Sequence, residues 1–318
     1  MALLLTERDV AELLTMDIAI EAVEEGFRQQ AEAQASNSPR LRLPLGKGAF
    51  NFMAAAAPGL GVMGMKTYGV FGAGGAKFYV QLYSTENGEL MAVIEANTMG
   101  QIRTGAASGL ATKLMAREDS SDVGIIGSGF QARTQLEAVC RVRDVKTVRV
   151  FSRTVERRDE FARWASKVLE VSTTAVDSAE ECIRGSDVAI AITSAASPVI
   201  KGAWLKDGAH VNAAGSNHWM RREIDSDTVM RSRVIVTDDV EQAKIECGDL
   251  ILPVDKGGLR WRQVHELSEL VSGAVQGRHD DNDITLFESQ GVALEDIATG
   301  IRILQMAREK GIGREVSL

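Results

Sequence analysis

Residues 123–132 read Val-Gly-Ile-Ile-Gly-Ser-Gly-Phe-Gln-Ala. A short apolar run leads straight into Gly127-x-Gly129-x-x-Ala132, after which Leu136 and Val139 recur at helical spacing. Strand, glycine turn and helix in that order are what a dinucleotide pyrophosphate requires. One glycine permits the tight turn, the next lets backbone N–H groups approach the phosphates, and a small third residue packs helix on strand. Gly127, Ser128, Gly129, Phe130 and Gln131 are therefore candidate cofactor contacts. The next apolar run, Val148 to Phe151, ends in Ser152-Arg153-Thr154, where an NAD-selective domain carries an acid for the ribose 2′-hydroxyl. A hydroxyl and a guanidinium, with Arg157 and Arg158 one helical turn on, suit a 2′-phosphate. NADP(H) is expected over NAD(H); a solvated basic helix start is the plainer reading of the same residues.

A second set of candidates lies upstream. Arg40, Lys66 and Arg103 fall in sheet-like or sheet-adjacent segments among apolar neighbours. Singly, each reads as a structural ion-pair partner. Together they suit a carboxylate-bearing substrate, because a guanidinium fork matches a carboxylate bidentately. Other polar groups point elsewhere. His210, His218, His265 and His279 lack metal-ligand spacing, so no metal site is expected, and the run Asp280-Asp281-Asn282-Asp283 reads as a solvated loop. Asp238, Asp239 and Asp249 read as caps or solvent-facing acids. Asp296 reads as a charge at a helix start, with an active-site role as the lesser option.

The elements that position these groups are legible from period and punctuation. Thr6-x-x-Asp9 predicts a capping box, and Asp17 is read as the cap of a longer helix. From about Pro39 to Ala96, short apolar runs broken by Gly, Asn or Pro predict an antiparallel or mixed sheet, with Glu86-Asn87-Gly88 as a hairpin turn. Residues 99–115 read as a helix. Strands near 122–127, 147–151, 170–174, 187–193, 208–213 and 233–237, three of them followed by helices, predict a doubly wound parallel α/β sheet. Residues 292–310 read as a helix that rejoins the first domain. The expected layout is an α+β domain over 1–117 joined by 292–318, and a Rossmann-type domain over 118–291.

Composition sets outer limits. The 318 residues carry a net charge of −8, with 45% hydrophobic and 25% charged residues. That balance argues against nucleic-acid binding, because no basic excess is available to neutralise phosphates. Three separated cysteines fit a reducing compartment. The apolar runs are too interrupted to span a bilayer, and the N-terminus lacks signal-peptide features, so a cytoplasmic protein without membrane partners is expected.

The glycine loop, the Ile102-Arg103-Thr104-Gly105-Ala106-Ala107-Ser108 segment, His210-Val211-Asn212-Ala213-Ala214-Gly215 and Asp283 to Ser289, in that combination, resemble the ornithine cyclodeaminase/μ-crystallin family over essentially the whole chain. The resemblance implies a substrate and dimerisation domain beside a Rossmann domain, and a homodimer. It implies substrate-carboxylate arginines at Arg40 and Arg103, an active-site lysine at Lys66 and nicotinamide-side contacts near Thr193 and Ser194. One departure matters. Where the cyclodeaminases carry a catalytic aspartate, this chain has Asn217, and an amide cannot exchange a proton at neutral pH. His218 is a candidate replacement acid, with a structural or surface histidine the plainer reading. The expected activity is NADPH-dependent reduction of a small 2-imino acid, a cyclic ketimine, with Lys66 and Asn217 as catalytic-site residues. The alternatives are an ornithine cyclodeaminase or alanine-type amino-acid dehydrogenase, and a non-catalytic binder of NADPH and a small ligand.

Overall fold

A computed structural model describes residues 1–71 and 75–317. It divides into two compact units, Met1–Thr104 with Gly291–Leu318, and Gly105–Gln290. The first unit begins with strand β1 (Ala2–Leu5) and helices α1 (Glu7–Leu13) and α2 (Met16–Ala31). Strands β2 (Ser36–Leu45), β3 (Gly48–Ala57), β4 (Val62–Val70), β5 (Ala76–Ser84) and β6 (Leu90–Glu95) follow, then helix α3 (Asn97–Met115). The second unit holds β7 (Asp122–Ile126), α4 (Phe130–Val142), β8 (Thr147–Phe151), α5 (Val155–Val168), β9 (Ser172–Ala175) and α6 (Ala179–Ile183). It continues through β10 (Val188–Ala191), β11 (His210–Ala213), α7 (Ser226–Arg231), β12 (Ser232–Thr237), α8 (Val240–Glu246) and α9 (Gly248–Asp255). After β13 (Val264–Glu266), α10 (Leu267–Val271) and β14 (Ile284–Glu288), the chain re-enters the first unit as α11 (Ala293–Lys310) and β15 (Arg314–Val316).

The first unit is a mixed sheet in the order β15-β1-β6-β5-β4-β3-β2, antiparallel except where β1 runs parallel to β6. The turn at Gly88, with φ +75°, joins β5 to β6 as the sequence predicts. Helix α11 packs on β3, β4 and β5 and against α2. Glycines set how closely. A Cβ on Gly26 would lie 2.9 Å from the Ala298 Cβ, and one on Gly64 would lie 2.3 Å from the Gln81 carbonyl oxygen and 3.1 Å from Ile297. The capping box Thr6/Asp9 opens α1. The cap of α2 is Thr15, whose hydroxyl accepts from the Ile18 N–H, while Asp17 sits inside the first turn. This corrects the sequence reading by two residues: both types are good caps, and the hydroxyl one position before Met16 has the extended backbone a cap needs.

The second unit is an all-parallel eight-stranded sheet, β13-β12-β14-β11-β10-β7-β8-β9. One face packs on α4 and α5 through Ala132, Leu136, Val139, Phe161 and Ala165. The other buries Ile183, Val229, Ala243 and Leu250. Strand order reverses between β7 and β10, the switch point where such sheets bind ligands. Two strands, β13 and β14, were not anticipated. β14 is five residues long, buried throughout, and lies between β11 and β12.

The division between units falls inside α3, at Thr104/Gly105, and not at the polar linker near residue 117. The later turns of α3 are tied into the second unit. Thr112 accepts from the Asn212 side chain at 2.9 Å, and the Arg143 guanidinium donates to the carbonyls of Thr112, Lys113 and Ala116. Among the described residues, no helix is long and apolar enough to cross a membrane.

Candidate active site

In the first unit, local irregularity aims the three basic residues. Strand β2 has a register shift between Ser38 and Leu41, around Pro39, and Arg40 is the one buried residue of that strand. A bulge at an edge-strand proline re-aims a side chain in this way. Arg40 donates to the Gly291 carbonyl at 2.9 Å and reaches the Met53 sulfur at 3.4 Å. Met53 pairs in register with Lys66, and alternation along β4 turns Val62, Gly64 and Lys66 inward.

The inward face meets the first turn of α11. There the Lys66 Nζ lies 2.6 Å from Asp296 Oδ2, while Asp296 Oδ1 lies 3.0 Å from the Arg103 Nε, and Arg103 Nη1 pairs with Glu295. All four side chains are buried. Gly291 (φ +70°) is forced by the same packing, since a Cβ there would stand 2.8 Å from Arg103 Nη1. Burial, with the nearby Arg103 and Arg40 charges, pulls the Lys66 ammonium down to about 8 against the opposing pull of Asp296. Burial pushes the Glu295 carboxyl up, against the hold of Arg103. A lysine poised near neutrality beside an anion-binding arginine can hold a carboxylate and give up a proton.

In the second unit, the glycine loop follows β7. Gly127 has φ +120°, its N–H donates to the Phe151 carbonyl, and a Cβ would sit 2.2 Å from the Ile192 carbonyl oxygen. Only glycine fits. Gly129 is the N-cap of α4 without a side-chain hydrogen bond, and a Cβ there would meet nothing within 4 Å. Backbone groups at the start of a long helix, beside open space, fit a dinucleotide pyrophosphate. Ala132 is fully buried beneath the turn. Phe130 is exposed, and the Ser128 hydroxyl donates to Ser152 at 2.9 Å, which itself donates to the Thr154 carbonyl.

Arg153 and Arg157 are exposed at this edge. Arg158 is not available for a phosphate: it is buried, paired with Asp177, and its guanidinium lies 5.8 Å from the Phe151 ring centroid.

Thr193 and Ser194 follow β10, beside the glycine loop, and Ser194 is exposed. Thr193 is held by Glu223, a residue the sequence reading missed. This buried carboxylate accepts from the Thr193 N–H, the Thr193 hydroxyl and the Gly215 N–H, each at 2.6 Å. It ties together the loops after β10 and β11. Burial pushes its carboxyl up to about 7, against the hydrogen bonds from Thr193. Asp249, expected to cap or face solvent, is instead buried and accepts from the Glu223 and Ile224 N–H groups. Asp238 is likewise buried and accepts from Gln290 N–H at 2.7 Å, whereas Asp239 does cap α8. Asn217 and His218 lie on the loop after β11; Asn217 is exposed, and His218 Nδ1 accepts from the Met220 N–H at 3.2 Å.

The structure thus brings Arg40, Lys66 and Arg103 into one cluster, and separately gathers the glycine loop, Ser152 and Thr193 at the switch point. Glu295 and Asp296 complete the first cluster. The signal for them was two adjacent acids at the start of an apolar helix, which also fits an ordinary helix N-terminus. Among the described residues, no group of three or more His, Cys, Asp or Glu side chains is arranged to hold a metal.

Solved structures resemble the whole chain. The Thermococcus litoralis Δ1-pyrroline-2-carboxylate reductase, solved with NADH and L-proline, is 35% identical with a TM-score of 0.94, over 99% of this chain and 100% of that one. An archaeal alanine dehydrogenase dimer with bound NAD is 33% identical with a TM-score of 0.93, over 100% and 99%. The Paracoccus denitrificans iminosuccinate reductase, solved with NAD+, is 29% identical with a TM-score of 0.94, over 100% and 99%. The sequence pattern of the ornithine cyclodeaminase/mu-crystallin family matches residues 1–311, and this chain belongs to that family.

Proposed function

We propose that this chain reduces the C=N bond of a small 2-imino acid to an L-amino acid with NADPH, the substrate being a cyclic ketimine such as Δ1-pyrroline-2-carboxylate or Δ1-piperideine-2-carboxylate. The observation that carries the reading is the Lys66–Asp296–Arg103 arrangement: a buried, proton-bearing amine held at 2.6 Å by a carboxylate that also holds an arginine. Family membership supports the reaction class. The chain is a nicotinamide-dependent oxidoreductase of C–N bonds.

In this reading Arg40 and Arg103 hold the substrate carboxylate. Lys66 donates a proton to the imine nitrogen, and Asp296 fixes the direction of its Nζ. Asn217 orients the substrate by hydrogen bonding without exchanging a proton. Gly127, Ser128, Gly129, Phe130, Gln131 and the start of α4 hold the cofactor pyrophosphate. Thr193 and Ser194 face the nicotinamide side, with Thr193 kept in place by Glu223. When bound, the cofactor supplies hydride to the imine carbon. Preorganised charge around the reacting atoms lowers the barrier without reorganisation at the moment of transfer.

The preference for NADPH rests on the residues after β8, where Ser152, Arg153 and Thr154 stand in place of an acid, with Arg157 close by. The relatives above were solved with NADH or NAD, so both cofactors belong in the assay. Asn217 disfavours cyclodeamination, which needs several proton transfers. The likeness to alanine dehydrogenase keeps reductive amination of pyruvate as the second reading.

A homodimer, held through the sheet of the first unit, is part of the proposal. Leu41, Leu43, Phe50, Met63 and Tyr79 are exposed and lie on the face opposite Lys66. A cytoplasmic setting is included on the same footing.

The test is oxidation of NADPH and NADH with Δ1-pyrroline-2-carboxylate, Δ1-piperideine-2-carboxylate, and pyruvate plus ammonia. Faster turnover of a cyclic imine with NADPH is expected. Folded, cofactor-binding protein that reduces none of them overturns the reading.

A further inference from the structure

Glu223 joins the loops at the carboxyl ends of β10 and β11 by accepting from both. Its Oε1 takes the Thr193 N–H and the Thr193 hydroxyl, and its Oε2 takes the Gly215 N–H, each at 2.6 Å. The Thr193 oxygen also accepts from the Ala195 N–H at 3.1 Å, which fixes the turn that carries Ser194. Gly215 allows the close approach: a Cβ there would lie 2.2 Å from the Thr193 nitrogen. The backbone carbonyl of Glu223 accepts from the Val199 and Ile200 N–H groups at 2.7 and 3.0 Å, which pins the far end of the first loop. Asp249, in the first turn of α9, accepts from the Glu223 and Ile224 N–H groups at 3.0 Å. Gly248 before it makes room for the end of the second loop, since a Cβ would stand 2.6 Å from the Trp219 carbonyl oxygen and 2.2 Å from that of Arg221. The loops that carry Ser194 and Asn217 therefore meet at one buried carboxyl group.

Three donors suit an ionised carboxylate, which only accepts. A proton on Oε2 would face the Gly215 N–H. A proton on Oε1 fits only if the Thr193 hydroxyl turns away from Glu223. The titratable groups that act on Glu223 across the packing are acids: Asp249 from α9 and Glu288 from β14. Arg222 acts on Asp249, and Cys247 and Asp238 act on Glu288. Burial, with the like charge of Asp249, pushes the Glu223 carboxyl up to about 7 against the hydrogen bonds from Thr193. Burial holds the Glu288 carboxyl well above its ordinary range, so Asp249 is the charged neighbour near neutrality.

Building on the reading that Thr193 and Ser194 face the nicotinamide, we propose that Glu223 is a proton-operated positioning residue. As a carboxylate it locks the loops after β10 and β11 in the arrangement that receives the nicotinamide, and on taking up a proton it releases them. The glycine loop, which holds the pyrophosphate through backbone N–H groups, is untouched by this change. The cofactor is thus held in two halves, one at any pH near neutrality and one only above the titration of Glu223. Docking the nicotinamide requires the ionised form, so below about 7 it expels a proton, and the KM for the cofactor rises as the pH falls.

The experiment measures, by calorimetry, the affinities of NADPH and of the same molecule without its nicotinamide, 2′-phosphoadenosine diphosphoribose. Both carry the same phosphates, so their ratio isolates the nicotinamide and cancels phosphate titration. In wild type that ratio is expected to fall about tenfold from about pH 8 to about pH 6, because affinity scales with the ionised fraction of a group at about 7. Glu223→Gln turns an amide N–H toward the Gly215 N–H and cannot titrate. Its ratio is expected to be roughly tenfold lower than that of wild type at the upper pH, and flat. A wild-type ratio that is flat in pH, or a folded Glu223→Gln protein that keeps both ratio and slope, overturns the proposal. If that variant does not fold, Asp249→Asn supplies the second readout. It keeps an oxygen for the Glu223 and Ile224 N–H groups but removes the like charge, so the midpoint must move below that of wild type. An unmoved midpoint assigns the titration to another group and overturns the proposal equally. The two readings fail differently. NADPH and the fragment binding equally tightly at every pH defeats the nicotinamide assignment of Thr193 and Ser194, and the proposal with it. A nicotinamide contribution that is present but independent of pH defeats the role of Glu223 alone.

Discussion

The two candidate regions of this protein are built in opposite ways. The nucleotide cradle uses backbone: Gly127 in a conformation closed to other residues, Gly129 at a bare helix start, and loops tied by Glu223. The cluster of the first unit uses buried charged side chains, each held by another. A backbone cradle is assembled mostly from neighbours in sequence and meets its ligand through N–H groups that do not titrate. A side-chain cluster is assembled from distant segments and carries a lysine that titrates near neutrality. The first suits a ligand that is only held, the second a ligand that must receive a proton.

Removing Asp296 is the harshest way to break this contrast. Asp296→Ala leaves Lys66 and Arg103 buried with one carboxylate fewer, and breaking such a pair costs about 3–5 kcal/mol. Thermal unfolding is expected to show that loss. Asp296→Asn, which keeps the volume, should retain NADPH affinity while kcat falls. Cofactor affinity lost in parallel would mean that the two regions do not act independently.

Gly127→Ala strikes the other region. A positive φ and a Cβ 2.2 Å from a carbonyl oxygen force the loop to shift, at roughly 1–3 kcal/mol. NADPH affinity is expected to fall with binding of a monocarboxylate substrate analogue unchanged; unaltered affinity would remove the loop from the cofactor site.

The regions also differ in their dependence on pH. The Lys66 ammonium is held at about 8, below its ordinary 10.5, so its proton is present below that value and lost above it. The rate of imine reduction at low substrate should therefore fall as pH rises through about 8, while NADPH binding stays flat at that pH. A profile unchanged through 8 excludes Lys66 as the donor.

The smallest expected effect is in cofactor choice. Arg153→Glu places an acid among Ser152 and Thr154, and should move the NADPH-to-NADH preference by about tenfold toward NADH. No change would place the 2′-phosphate elsewhere.

The contrast explains what could be read without a structure. The glycine loop, the alternation of strands and helices, and the hairpin at Gly88 are local patterns whose physics operates over a few residues. Arg40, Lys66 and Arg103 stood out because charges among apolar neighbours need partners, but the partners were not legible. Arg103 and Glu295 are 192 positions apart, and nothing local to Glu295 or Asp296 separates them from acids that favour a helix start. Glu223 hid for a related reason. Its neighbours Arg221 and Arg222 mark a polar loop, and only the fold turns its carboxylate onto Thr193 and Gly215. Strand β14 is Ile-Thr-Leu-Phe-Glu, five residues in which Thr285 and Glu288 interrupt the apolar side chains, and so short a segment after an acidic loop gives no period by which to choose strand over helix.

The decisive comparison is between wild type and Lys66→Ala in NADPH oxidation with Δ1-pyrroline-2-carboxylate, with NADPH affinity measured alongside. Wild type is expected to turn over. Lys66→Ala is expected to lose about 10²–10⁴-fold in rate, the range for a general acid, with cofactor affinity nearly unchanged. A folded Lys66→Ala protein that reduces the imine at the wild-type rate would contradict the assignment of the proton to Lys66, and with it the division of labour between the two regions.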